Sequence, residues 1–236
     1  MLRYRHMLVL SFLTVLFVYI HTAPVTAARS QLTVATTTTV FADFIQQVGG
    51  ERVEVLSIVP AGVDPHAFEP TPREARAVAT ADLLFVNGLG FEAWLAKLLE
   101  NVGSSDLSVV VMSEGLTPLP GVAFSAHHHD EDGDPHFWLD VTYAMHYVRR
   151  IEQALSEHDP EGAEYYRSRT ARYVDELEAL DAWMLEQLGR IPPERRVLLT
   201  YHDAFAYLAR RYGLELVGVL VRNPDREPSS RDMANL

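Results

Sequence analysis

Short β-branched runs alternate with helix-period segments along this chain, and that alternation limits the possible folds more than any other feature. Leu32–Thr36 and Val53–Val59 read as strands, and so do Ala81–Val86 and Leu107–Met112. Between them, Val40–Val48 puts Phe41, Phe44, Ile45 and Val48 on one helical face. Pro72–Thr80 and Phe91–Asn101 carry further helical signals. Strands separated by helices pair in parallel through right-handed crossovers, so the first half is expected to be an α/β lobe.

A proline-bearing loop, Ser113–Pro135, follows and contains the run His127-His128-His129-Asp130-Glu131-Asp132. Asp140 is a good N-cap for a helix running to about Glu157, and Asp159-Pro160 marks the next start, with Pro at the first helical position. In that second helix Ala163, Tyr166, Thr170, Tyr173, Leu177, Leu180, Met184 and Leu188 recur at spacings of three and four. A stripe of this length suits a rigid spine between two lobes. The α/β rhythm then resumes, with strands at Arg196–Thr200 and Leu214–Val221, a helix at Ala204–Tyr212, and a further cap at Ser229 or Ser230.

The expected fold class is therefore α/β, with two parallel-sheet lobes joined by a long spine helix. The expected division is 1–27 as signal peptide, 28–158 as N-terminal lobe, 159–190 as linking helix and 191–236 as the start of a C-terminal lobe. Two strands and two helices cannot cover both faces of a parallel sheet, so that last lobe is expected to be incomplete within this chain.

Composition narrows the function. Among 236 residues there are 20 Lys and Arg against 32 Asp and Glu, a formal charge of −12, which speaks against nucleic acid as a partner. Zero Cys removes disulfides, thiolate metal sites, cysteine nucleophiles and a lipid-bearing cysteine. Arg3 and Arg5 precede the apolar run Met7–Ile20, and Val25-x-Ala27 offers small residues for cleavage, so residues 1–27 read as a secretory signal. An uncleaved membrane anchor is the alternative.

Histidine is the informative residue type. Asp-Pro-His occurs twice, at Asp64-Pro65-His66 and Asp134-Pro135-His136, and Tyr201-His202-Asp203 is a third candidate. Each lies after a predicted strand, and in open α/β sheets the carboxyl ends of strands face the binding crevice, so the three imidazoles can converge. Pro65 and Pro135 restrict the backbone before each His. Asp64, Asp134 and Asp203 could each accept an N–H bond that raises imidazole basicity. Three neutral imidazoles without thiolate suit a borderline cation, Zn²⁺ ahead of Mn²⁺. The plainer alternative is that each His caps a turn or packs at a strand end.

Other motifs carry less. His127, His128 and His129 offer an auxiliary metal-capturing loop or simply a solvated one, whereas His146 and His158 read as surface residues. Asp130, Asp132 and Asp134 resemble a calcium loop, but Pro135 occupies the position that needs Gly. Gly88-Leu89-Gly90-Phe91-Glu92-Ala93 satisfies a dinucleotide fingerprint, yet it follows the third strand and would set Glu92 beside a pyrophosphate. A tight turn explains it better.

Several segments together resemble a known family. They are Ala35-Thr36-Thr37-Thr38, Val63-Asp64-Pro65-His66-Ala67-Phe68-Glu69-Pro70-Thr71-Pro72, Asn87-Gly88-Leu89-Gly90-Phe91-Glu92-Ala93-Trp94-Leu95, Asp134-Pro135-His136-Phe137-Trp138-Leu139-Asp140 and Glu227-Pro228-Ser229. In this order they are similar to the zinc/manganese substrate-binding proteins of ABC transporters, the ZnuA/TroA-like cluster A-I group. The resemblance implies two α/β lobes joined by one long helix, with metal in the cleft between them. His66 and His136 match two ligands from the first lobe and His202 a third from the second. Manganese-selective relatives commonly carry Glu at that third position, so His202 points to zinc. The family's fourth ligand position falls beyond Leu236.

The resulting expectation is a monomeric periplasmic receptor that is not an enzyme. It would hand Zn²⁺ to an ABC permease in the inner membrane. A zinc hydrolase using the same histidines, with Glu69 as general base, is the rival class, and a purely structural metal site is a third possibility.

Overall fold

The computed structural model describes residues 31–103, 107–120 and 133–220. The expected signal segment, His127, His128, His129, Glu227, Pro228 and Ser229 lie outside them. Among the described residues no helix is long and apolar enough to cross a membrane.

Four strands, β1 (Leu32–Thr36), β2 (Val53–Ser57), β3 (Leu83–Val86) and β4 (Ser108–Val111), form a parallel sheet in the order β2-β1-β3-β4. The inner strand β3 is buried throughout, while the edge strands β2 and β4 alternate exposed positions with ones that are, but for buried Val53, half-buried. This is the expected signature of a sheet covered on both faces. Successive β3 side chains divide between two cores. Leu83 and Phe85 join Val34, Phe41, Ile45 and Tyr147 on one face, and Leu84 and Val86 join Ala35, Val78, Trp94 and Leu98 on the other.

Helices α1 (Thr39–Gly49), α2 (Pro72–Ala79) and α3 (Leu95–Val102) provide the crossovers. The expected apolar face of α1 is the one buried: Phe41, Phe44, Ile45 and Val48. Thr71 caps α2 in a reciprocal box with Glu74, and Pro72 takes the first helical position. The third helix starts later than expected, at Leu95 rather than Phe91. Residues 89–94 form turns instead, because Glu92 folds back to accept hydrogen bonds from the backbone N–H of Asn87 at 2.7 Å and of Gly88 at 3.1 Å.

Helix α4 (Val141–His158) begins where Asp140 accepts from the Thr142 amide at 2.9 Å. Asp159 then caps a short 3-10 turn that leads into α5 (Ala163–Gly189), 27 residues and so about 40 Å long at 1.5 Å rise per residue. Two carboxylates fix this helix. Asp159 accepts from Arg52 Nε and from the Tyr166 hydroxyl, each at 2.8 Å, holding its start to the first sheet unit. Asp181 accepts from Arg211 Nε at 3.0 Å and from the Tyr212 hydroxyl at 3.0 Å, holding its later turns to α6 (Ala206–Tyr212). That second anchor changes the expected stripe. The buried positions are Tyr166, Thr170, Val174, Leu177 and Asp181, whereas Leu180 is exposed.

β5 (Val197–Thr200) and β6 (Glu215–Val219) pair in parallel around α6. Val197, Leu199 and Val217 are about half exposed on this ribbon.

Candidate metal centre

The order β2-β1-β3-β4 has its switch point between β1 and β3, where open α/β sheets place a crevice at the carboxyl ends of the strands. Glu92 fills the floor of that crevice. Besides the amides of Asn87 and Gly88 it accepts from the Thr37 hydroxyl at 2.8 Å, tying the end of β1 to the end of β3. Its carboxyl is nevertheless pushed up from the ordinary range, because burial outweighs those three donors. Gly88 has φ +90°, and a Cβ there would lie 2.7 Å from Val111 Cγ1, so the turn needs glycine on both counts. The glycines shape a packed turn whose Asn87 and Gly88 amides already donate to Glu92.

Above this floor the two Asp-Pro-His tripeptides adopt the same local geometry. Asp64 Oδ1 accepts from the His66 amide and Asp134 Oδ1 from the His136 amide, each at 2.9 Å. Both are turns in which the Asp side chain captures the N–H two residues on. The proline carbonyl at the centre of each turn is gripped by a side chain from the β3–α3 connection. Trp94 Nε1 donates to Pro65 O at 2.7 Å, and Asn87 Nδ2 donates to Pro135 O at 3.0 Å. Asn87 is itself oriented by the Tyr147 hydroxyl, which donates to its Oδ1 at 2.6 Å.

The imidazoles consequently meet. His66, His136 and His202 each offer a ring nitrogen, and these atoms lie within 4.8 Å of one another. The ring centroids form a nearly equilateral triangle with sides of 5.3, 5.4 and 5.2 Å. His66 Nε2 faces His136 Nε2 at 3.2 Å. Two nitrogens about 2.05 Å from a tetrahedral cation would stand about 3.3 Å apart, so the His66–His136 pair is spaced as two ligands of one such cation would be. Phe91 closes the apolar side, its ring edge-on to His66 at 4.7 Å and 6.0 Å from His136.

The three acids differ in what they do. Asp134 Oδ1 lies 2.7 Å from His136 Nδ1, so this carboxylate accepts from Nδ1–H and leaves Nε2 with its lone pair toward the triangle. Asp64 accepts from the His66 amide. Asp203 Oδ1 is buried and has no hydrogen-bond partner among the described residues. Burial first, then the neighbouring Asp134 charge, push the Asp203 carboxyl up to about 6. Its oxygens are not among the donor atoms that converge with the three imidazoles.

The other two histidines among the described residues, His146 and His158, point elsewhere. The His146 ring meets Glu114 O at 3.0 Å, and the His158 ring meets Ala154 O at 2.9 Å. Glu69 is exposed and lines a separate groove of about 660 Å³ with Arg76, Trp94 and Lys97, to which none of the three clustered histidines contributes. Residue patterns pointed to the imidazoles. They did not single out Trp94, Asn87 or Tyr147, whose partners are 29, 48 and 60 residues away.

Residues 34–236 match the model of the family described as ZnuA, zinc-uptake complex component A periplasmic. The chain is 39% identical over 197 residues to the manganese-binding lipoprotein MntA of Halalkalibacterium halodurans, covering 83% of this chain and 63% of that protein. It is 36% identical over 201 residues to the iron-binding protein YfeA of Yersinia pestis, covering 82% of this chain and 61% of that protein. The chain thus spans less than two thirds of the length of these relatives. Its structure is similar to the crystal structure of Zn(II)-bound AdcA from Streptococcus pneumoniae, with a TM-score of 0.74 and 30% identity over 87% of this chain and 42% of that one.

Proposed function

This chain belongs to the ZnuA family, and from that membership we propose that it captures a divalent transition-metal ion between His66, His136 and His202 and releases it to the permease of an ABC importer. The observation that carries the reading is the 3.2 Å approach of His66 Nε2 to His136 Nε2 within a three-imidazole cluster. Two nitrogen lone pairs at that distance repel unless a proton or a cation lies between them. A capture protein needs inner ligands and a route for release, and it needs no chemical step at the ion. The relatives named above are binding proteins, one for manganese and one for iron.

Zinc is the proposed cargo. Neutral imidazole is a borderline donor that suits zinc better than manganese, which favours carboxylate and carbonyl oxygen. The proposed organisation is a first α/β lobe at 28–158, a linking helix at 159–190 and a second lobe beginning at 191, with the ion at their junction. Residues 1–27 act as an export signal, and the chain, which has no Cys, works as a soluble monomer in the periplasm. His127, His128 and His129 serve as auxiliary capture sites.

The test is a competition titration of the full chain against a chromogenic chelator, with Zn²⁺ and Mn²⁺ in parallel. One equivalent of Zn²⁺ should bind, more tightly than Mn²⁺, and His66→Ala or His202→Ala should abolish tight binding. Tighter Mn²⁺ binding would reassign the cargo, and binding indifferent to both substitutions would overturn the site. The hydrolase alternative needs a general base at the ion, and its candidate, Glu69, lines another groove.

A further inference from the structure

We infer that Tyr207 is a positioning residue for the metal centre, a single phenol that fixes the His202 side of the cluster against the His136 side. The inference rests on the metal-capture reading above and adds a residue to it. Tyr207 lies on α6, five residues after His202, and is fully buried. Its hydroxyl donates to the carbonyl of Asp134 at 2.7 Å and accepts from the amide of Leu119 at 2.9 Å. The Asp134 amide in turn donates to Leu119 O at 2.9 Å. Three hydrogen bonds therefore close a ring through Tyr207, Leu119 and Asp134.

Asp134 is the acid whose carboxylate orients the His136 ring at 2.7 Å. Its carbonyl, amide and side chain are thus all committed, and one of those commitments is to the helix that follows the third imidazole. The Tyr207 ring is held independently, stacking on Phe137 at 4.7 Å between centroids, with Tyr143 at 5.6 Å and the Arg210 guanidinium 5.4 Å from its centroid. Burial pushes the phenol above its usual range, so it stays protonated and keeps donating. A hydroxyl held this rigidly sets the distance between the two sides of the triangle, and small displacements of a ligand are costly to a metal site. Linkage adds a second consequence: if the ring of hydrogen bonds favours the bound metal, bound metal must favour the ring by the same factor.

The experiment compares Tyr207→Phe with Tyr212→Phe in the full chain. Tyr212 is a second buried phenol on α6, but its hydroxyl donates to Asp181 on α5, away from the histidines. Both variants should lose stability. Tyr207→Phe alone should weaken Zn²⁺ binding by at least about tenfold and alter the visible absorption of bound Co²⁺, used as a probe of ligand geometry. Introduced into His202→Ala, it should have a much smaller effect, since the side it positions is already missing. Equal metal affinity in Tyr207→Phe and wild type would overturn the inference while leaving metal capture intact. No histidine-dependent binding in wild type would instead sink the parent reading. Amide exchange in the wild type serves if the variant does not fold: Zn²⁺ should slow exchange at Leu119, and an unchanged Leu119 rate would count against the coupling.

Discussion

His66 Nε2 and His136 Nε2 stand 3.2 Å apart although 70 residues separate them in the chain. Two copies of one tripeptide produce that meeting. Each Asp captures the His amide, each Pro carbonyl is gripped from the β3–α3 connection, and each imidazole is delivered to the crevice beside β1 and β3.

The Asp134 carboxylate fixes the tautomer and orientation of His136, so its charge should matter for metal and not only for packing. Asp134→Asn should lower Zn²⁺ affinity by about 10- to 100-fold. Isothermal titration with a competing chelator measures this, and apo-protein circular dichroism should show an unchanged fold.

Trp94 holds the first tripeptide through one bond to Pro65 O. Trp94→Phe keeps most of the ring that packs on Phe68 but leaves that carbonyl without its donor. Chemical denaturation should show a loss of about 1 kcal/mol. Zn²⁺ should also dissociate faster, as read by stopped-flow transfer to a chelator, because the His66 turn is less constrained.

Gly88 combines φ +90° with a Cβ position 2.7 Å from Val111 Cγ1 and 3.0 Å from Ser113 Oγ. Gly88→Ala should therefore cost about 2 kcal/mol or more in urea unfolding. A neutral result would mean the turn can rearrange without disturbing Glu92.

The Asp181 anchor gives a pH dependence with a definite sign. Hydrogen bonding to Arg211 holds the Asp181 carboxyl below its usual range, and Tyr212 and the Arg211 charge add to this against burial. A depressed folded-state pKa means the stabilisation is present above the unfolded value near about 3.9 and is lost as pH falls through the lower folded value. Asp181→Asn should destabilise the protein by about 2 kcal/mol at neutral pH. Thermal unfolding of the variant and wild type should converge as the medium is acidified below that range.

How much of this could be read in advance depended on how local each determinant is. The buried face of α1 and the caps at Asp140 and Asp159 follow from neighbouring residues, and all appear as expected. The parallel sheet followed from alternation alone. The start of α3 did not, because Glu92 turns back onto Asn87 and Gly88 instead of extending the helix. The stripe on α5 shifted because Asp181, polar in sequence, is buried by an arginine 30 residues later. At the candidate metal centre His66 and His136 stood out by their repeated tripeptide and His202 by its place after a strand. Asn87, Trp94 and Tyr207 did not, since each acts through a backbone carbonyl that only the folded chain brings near.

Zinc K-edge X-ray absorption of the full chain loaded with less than one equivalent of Zn²⁺ tests the central claim most directly. The account predicts three imidazole nitrogens at about 2.0–2.1 Å, falling to two in His202→Ala. A shell of oxygen donors alone, or a spectrum unchanged by that substitution, would contradict it.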